Sequence, residues 1–286
     1  MTPGRRRLCV FVCLCGLTLG GCTMFEGPIT SMIFFPDPVL EYEPKDIGLS
    51  AETVTLNVSQ GVDLYCWYIP ASKNRPVLLY LHGNAGNISH RLSIAKGWAD
   101  RGFGCFMLDY RGYGRSSGQI HHEKDMTDDA RAAYGWLRQE RGIPAEKIVL
   151  YGESIGCAPS IDLALAETAG ALVLMAPFTT LPDMARVHYG FRAPGFLVKN
   201  FMFDNESKIA SVKSPIFLIH GTADEIVPFE MGRKIFERSA STKESYWVEG
   251  GTHNDLPQSA GAAFWDRPAD FLIRTLGPHL LESGAL

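Results

Sequence analysis

Several features are missing from this 286-residue chain, and each absence removes a class of function. There is no internal repeat, low-complexity tract or long run of one charge, so a solenoid or a disordered interaction tail is excluded. The net charge is -4, so nothing in the composition suggests a nucleic-acid partner. Outside the N-terminal leader no two cysteines have zinc-finger spacing, and neither a G-x-x-x-x-G-K-[ST] loop nor a dinucleotide fingerprint occurs. No metal or organic cofactor is therefore expected. The seven cysteines form no disulfide framework, because Cys9, Cys13, Cys15 and Cys22 crowd the N-terminus. The remaining Cys66, Cys105 and Cys157 sit inside apolar elements and read as small buried hydrophobes.

The most apolar stretch is Leu8 to Leu19, about a dozen residues behind Arg5-Arg6-Arg7. A membrane span needs about 20 residues, so this length fits the apolar core of a secretory signal. The stretch closes in Leu19-Gly20-Gly21-Cys22, which resembles a bacterial lipoprotein box with Cys22 as the lipidated residue. An uncleaved anchor, or an ordinary signal near a cysteine, are the other readings. The expected division is a leader over 1–21, a tether and extension over 22–52, and one catalytic domain over 53–286. The expected location is the bacterial cell envelope, held at a membrane by lipid and facing away from the cytoplasm. Within the tether, Met32-Ile33-Phe34-Phe35 is expected either to touch the bilayer or to pack on the domain.

What the chain does have is 46% hydrophobic residues, enough for one large core. Thr53–Val58 and Val62–Tyr68 read as a hairpin around Ser59-Gln60-Gly61. Continuous apolar strands then follow near residues 76–81, 104–108, 147–151, 171–175, 215–219 and 244–248, separated by helical stretches. The last helix is expected over about Gln258 to Leu276. Apolar strands alternating with helices indicate an α/β fold: a mostly parallel, doubly wound sheet with helices on both faces. Ligands on such sheets bind beyond the carboxyl ends of the strands. His82-Gly83-Asn84, Asp109, Ser154, Asp224 and His253 all lie just past predicted strand ends.

Among these, Gly152-Glu153-Ser154-Ile155-Gly156 has the form G-x-S-x-G between a strand and a helix, where a serine hydroxyl is pushed out of a sharp turn. A serine needs a base to take its proton, and a carboxylate to orient that base. His253 and Asp224 are the candidates, with Asp183 as the alternative acid. His82 and His220 read as turn braces, His121 and His122 as solvated, and His90, His188 and His279 have no arguable role. The developing oxyanion requires fixed donors. The backbone N–H groups of Ile155 and Asn84 are expected to supply them. Arg111, in the loop Asp109 to Gly118, is expected to pair with a neighbouring acid.

These residues carry a resemblance to the α/β-hydrolase superfamily over about 53–276. Within it the chain resembles small serine hydrolases with H-G-N-A-G-N, here His82 to Asn87. It shares with them Y-R-G-Y-G-x-S-x-G, Tyr110 to Gly118, and H-G-x-x-D-x-x-V-P, His220 to Pro228. Relatives of that kind include depalmitoylating thioesterases and bacterial esterases or lipoproteins. The resemblance implies a Ser-Asp-His triad and an ester or thioester substrate. A serine peptidase of the same fold, or a silent binding lipoprotein, are the alternatives. Residues 178–212 form a short lid-like insertion rich in apolar groups, with Phe178 a candidate pocket residue. Its Phe191, Phe196, Leu197, Phe201, Met202 and Phe203 fit either an acyl pocket or plain packing.

Overall fold

The computed structural model describes residues 26–190 and 198–281, with side chains from residue 30 to 277. The proposed lipid site Cys22, the leader, and Phe191, Phe196 and Leu197 lie outside the described residues. His279 falls within the last helix, but its side chain does not belong to the described set. No helix among the described residues is long and apolar enough to cross a membrane.

Eight strands form one sheet: β1 (Glu52–Ser59), β2 (Val62–Ile69), β3 (Val77–Leu81), β4 (Gly104–Leu108), β5 (Ile148–Glu153), β6 (Ala171–Met175), β7 (Ile216–Gly221) and β8 (Lys243–Val248). Their spatial order is β8-β7-β6-β5-β3-β4-β2-β1. Strands β3 to β8 pair in parallel, while β2 runs antiparallel to both β1 and β4. The hairpin turn is tighter than expected, with only Gln60 and Gly61 between β1 and β2. Gly61 takes φ +77, the left-handed geometry such a two-residue turn favours.

Every residue of β3, β4 and β6 is buried. Side chains alternate between two cores because the strand period is two. Leu79, Leu81, Leu150 and Leu218 face one core. Leu78, Tyr80, Val149 and Phe217 face the other. Each fully buried side chain of this size is worth about 1.5–3 kcal/mol, so the uninterrupted apolar strands are what hold the sheet between its helices.

The helices are α1 (Glu26–Ile33), α2 (Leu92–Ala99), α3 (Glu123–Gln139), α4 (Cys157–Ala166), α5 (Leu181–Tyr189), α6 (Asn205–Lys208), α7 (Phe229–Arg238), α8 (Leu256–Ala260) and α9 (Ala263–Leu281). Ala130 and Ala133 of α3, Ile161 of α4 and Ile235 of α7 pack on the first core. Trp98 of α2, Leu256 of α8 and Phe271 of α9 pack on the second. The start of α3 is set locally: Asp125 Oδ2 accepts the backbone N–H groups of His121 at 2.7 Å and His122 at 2.9 Å, at a helix end whose dipole favours acids. The single final helix expected from the sequence is two, α8 and α9, parted at Gly261 with φ +56.

The expected tether is not wholly separate from the domain. Phe34 is buried, with its ring 5.4 Å from Phe201 in an edge contact. Phe35 and Pro36 pair in parallel with Ala85 and Gly86. Of the two readings of Met32 to Phe35, packing on the domain applies to Phe34, whereas Met32 and Phe35 are exposed. Within the insertion, two of the aromatics singled out from the sequence are packed into the core. Phe201 and Phe203 are buried and stacked with centroids 6.1 Å apart.

Candidate active site

Ser154 follows directly on β5 and adopts φ +52, the left-handed region that a non-glycine residue enters at a cost of about 1–3 kcal/mol. The turn closes so tightly that its two flanking positions have no room for a side chain. A Cβ on Gly156 would lie 2.0 Å from the Leu81 carbonyl oxygen, and one on Gly152 would lie 2.6 Å from the Cys157 Cα. Helix α4 begins at once after the turn, so its N-terminus lies next to Ser154.

Beyond β7, Asp224 sits in a loop that saturates its carboxylate. Oδ1 accepts the N–H groups of Ile226 at 2.9 Å and Val227 at 2.7 Å. Oδ2 lies 2.7 Å from His253 Nδ1, in the loop after β8. It also lies 3.3 Å from Nε2 of the buried His220, which donates to the Val227 carbonyl at 2.9 Å. Burial opposes charge on Asp224, but the hydrogen bonds from His220 and His253, the charge His253 can carry, and the Val227 N–H outweigh it. The carboxyl is held below the usual range. An ionised Asp224 fixes the His253 proton on Nδ1 and leaves Nε2 free to act as a base. Among the described residues no hydrogen bond joins Ser154 to His253; both line one cavity, and such contacts tighten when substrate binds.

The alternative acid plays a different part. Asp183 stands in the first turn of α5, where its N–H caps onto Thr180 Oγ1 at 3.1 Å and its Oδ2 accepts from Thr179 Oγ1 at 3.0 Å. The partner of His253 is Asp224.

Asn84 and Ile155 line the same cavity as Ser154. The peptide joining Gly83 to Asn84 is pinned from behind: the buried His82 places Nδ1 2.7 Å from the Gly83 carbonyl oxygen. Because a peptide is planar, fixing that carbonyl also fixes the direction of the Asn84 N–H. Burial, aided by the nearby Arg91 charge, pushes His82 down to about 3, so the ring is neutral at working pH and holds one tautomer. Its Nε2 lies 3.5 Å from Asp109 Oδ1, itself an acceptor for the Ile88 N–H at 2.8 Å. Burial pushes Asp109 up to about 7. Thus the brace expected of His82 is present, and Asp109 proves to be its buried neighbour. His220 braces its own loop in the same way. Arg111 pairs with Asp129 at 2.6 Å and Asp125 at 3.1 Å, as its loop position suggested.

The cavity holds about 620 Å³, the size of a small-ligand site. Its walls are mainly apolar and include Phe178, Leu181, Met184, Val198 and Ile226, together with Met32, Ile33 and Phe35 from the N-terminal extension. Phe178, singled out from the sequence, is on the wall. Other lining residues were not expected. Glu153 and Arg91 form an ion pair at 3.2 Å, and the Tyr80 hydroxyl donates to Glu153. Burial works against charge on Glu153, but Arg91 and Tyr80 outweigh it and keep its carboxyl low. His188 also lines the cavity, with Nε2 2.8 Å from the Ile226 carbonyl oxygen. The only sequence signal for Arg91 was a basic residue soon after the H-G-N-A-G-N turn, which is too common to single out. A larger, polar depression of about 890 Å³ between β1 and α3 contains no paired nucleophile and base.

One group of potential metal ligands, Asp37, Glu41 and His90, is gathered near the surface. His90 Nδ1 accepts the Asn87 N–H at 3.1 Å, so in the neutral ring the proton sits on Nε2, the atom facing Glu41. A metal needs that lone pair bare, so this set does not fit a metal.

Comparison with known proteins agrees with the geometry. A family model described as serine aminopeptidase, S33, of the Hydrolase_4 group, matches residues 72–203. An uncharacterized protein of Mycobacterium tuberculosis is 31% identical over 281 residues, covering 96% of this chain and 98% of its own length. The human alpha/beta hydrolase domain-containing protein 17B is 37% identical over 213 residues, covering 72% of this chain and 70% of its own. Among solved structures, the esterase Pf2001 of Pyrococcus furiosus superposes with a TM-score of 0.73 at 20% identity, over 86% of this chain and 98% of that one. Est1E from Butyrivibrio proteoclasticus gives 0.64 at 16% identity, over 80% of this chain and 100% of that one; these two likenesses speak to the fold. By sequence relatedness, sheet order and the sharp turn at Ser154 alike, the chain belongs to the α/β-hydrolase family and is a hydrolase.

Proposed function

We propose that this hydrolase cleaves carboxylic esters or thioesters through an acyl-serine intermediate, with Ser154, His253 and Asp224 as its triad. The observation that carries the reading is the 2.7 Å contact between Asp224 Oδ2 and His253 Nδ1, with His253 and Ser154 lining one largely apolar cavity. Ser154 Oγ attacks the acyl carbon as its proton passes to His253 Nε2, and Asp224 stabilises the imidazolium. The backbone N–H groups of Ile155 and Asn84 receive the oxyanion. His253 then returns the proton to the departing alcohol or thiol. A water, deprotonated by the same ring, releases the acid and restores the serine.

The family model's description favours a second reading, an aminopeptidase. Such a site needs a free carboxylate for the peptide's amino terminus. Glu153 is the one carboxylate among the described residues that line the cavity, and Arg91 and Tyr80 occupy it. An uncharged acyl chain suits the remaining walls better. We also propose that Cys22 carries lipid and that the enzyme works at a bacterial envelope membrane, on the strength of the leader and its terminal Leu19-Gly20-Gly21-Cys22.

The test is labelling by a fluorophosphonate, together with rates on ester, thioester and peptide panels, in the parent and in Ser154→Ala. Labelling and ester or thioester turnover that vanish in Ser154→Ala support the proposal. Turnover that persists in Ser154→Ala refutes the nucleophile. Peptides cleaved faster than every ester and thioester refute the substrate class.

A further inference from the structure

The stretch from Thr30 to Val39 contributes Met32, Ile33 and Phe35 to the lining of the catalytic cavity, although it lies upstream of the hydrolase domain in the chain. Its backbone is held to the loops that carry the sequence motifs. The Phe35 N–H donates to the Asn84 carbonyl at 3.4 Å, and the Asp37 N–H to the Gly86 carbonyl at 3.1 Å. In return, Asn87 Nδ2 donates to the carbonyls of Asp37 at 2.9 Å and Val39 at 2.6 Å. The Gly114 N–H adds a further bond to the Asp37 carbonyl at 3.1 Å. Phe34 nails the strap down from inside through its edge contact with Phe201. Two of the motifs thus have a structural task that catalysis alone does not explain: Asn87 ends H-G-N-A-G-N, Gly114 lies in Y-R-G-Y-G, and both grip the strap.

The strap presents Met32, Ile33 and Phe35 to the cavity. Met32 is 57% exposed and Phe35 54% exposed, despite being large and apolar. Groups of this kind gain from being covered, and a ligand chain leaving Ser154 along this wall would cover them. The rest of the lining, including Phe178, Leu181, Met184, Val198 and Ile226, is largely apolar too. The space between suits an unbranched hydrocarbon rather than a polar leaving group.

We propose that this strap is the second wall of the acyl slot, and that Met32 and Phe35 on it set the acyl-chain preference of the enzyme. The proposal rests on the acyl-serine reading above and adds to it the identity of the selecting residues. Because both side chains are already half in solvent, truncating them removes contacts to the acyl chain and little from the fold.

The experiment uses the full chain purified in detergent and p-nitrophenyl esters from acetate to laurate. Met32→Ala, Phe35→Ala and their combination are compared with the parent. Val39→Ala serves as a control, since Val39 is exposed on the same strap but does not line the cavity. Fluorophosphonate labelling reports an intact Ser154 site in every variant. In the double variant kcat/KM for octanoate is expected to fall about tenfold, the effect of uncovering roughly two methylenes, with acetate changed less than about twofold. Met32→Trp, which fills the slot, moves the optimum to shorter chains. Val39→Ala leaves the profile as it was. A labelled and active double variant with an unaltered chain-length profile overturns the strap proposal alone. So does an equal loss at every length, which marks a merely structural strap. A parent chain that neither labels nor hydrolyses any ester overturns the acyl-serine reading and this proposal with it.

Discussion

Replacing Asp109 by Asn removes one member of a buried pair that masks the pH dependence of the other. In the fold, burial pushes Asp109 from 3.8 up to about 7, and pushes His82 from 6.5 down to about 3. Taken alone, Asp109 contributes stability at low pH that is lost as pH rises through 3.8 toward 7. His82 alone contributes stability above 6.5 that is lost as pH falls toward 3. Between about pH 4 and 6.5 the folded pair keeps one proton, on Asp109, and the unfolded pair keeps one proton, on His82. The two states bind equal numbers, so the pair adds no slope. In Asp109→Asn the unfolded chain still takes a proton on His82 below 6.5, while the folded chain does not. The variant therefore loses about 1.4 kcal/mol per pH unit relative to the parent, or about 2–3 kcal/mol between about pH 6.5 and 4.5. An asparagine oxygen can still accept the Ile88 N–H, so the geometry of the loop is retained. Urea unfolding of both proteins at several pH values measures the difference directly, because all other titrating groups cancel. Parallel stability curves over that range would refute the neutral pairing of His82 with Asp109, and with it the fixed tautomer that holds the Gly83–Asn84 peptide.

Three further outcomes are expected. Asp224→Asn should lower kcat by about a thousandfold to ten-thousandfold, because an amide no longer holds His253 in the tautomer that leaves Nε2 free, and Asp183→Asn should cost far less; steady-state kinetics giving the reverse ranking would move the acid. Gly156→Ala would drive a methyl group onto the Leu81 backbone oxygen, which cannot swing aside, so a loss of about 3 kcal/mol or more is expected in denaturant midpoints, and an unchanged midpoint would contradict the tightness of the turn. Cys22→Ser should abolish metabolic labelling with palmitate and leave an unprocessed precursor at the membrane; label retained by that variant would place the lipid elsewhere.

Much of the architecture was already contained in local sequence, because its determinants are local. Uninterrupted apolar runs such as Val77–Leu81 have no place except in a sheet covered on both faces, and the helical stretches between them supply the covers. The G-x-S-x-G turn is legible for a similar reason: a serine at φ +52 with a carbonyl 2.0 Å from the next glycine's missing Cβ tolerates almost no other residues. Asp224 and His253 could be chosen from the chain because each closely follows an apolar strand, and parallel strands deliver such loops to one edge. The contact between them, across 29 positions, belongs to the tertiary structure. The residues that escaped the sequence reading are those whose role depends on what approaches from far along the chain. Arg91 becomes a site residue only because Glu153 lies opposite it, 62 positions later. Gly261 looks like any glycine within a helical pattern until packing of α8 on the second core makes it a break. Met32 and Phe35, which read as tether, line the cavity only because Asn87, about 50 residues further on, captures the backbone beside them. Local chemistry decides which elements form and where a strained turn must be, since those depend on neighbours a few residues away. Which side chains share a cavity depends on how the sheet order brings distant loops together, and only the folded chain decides that.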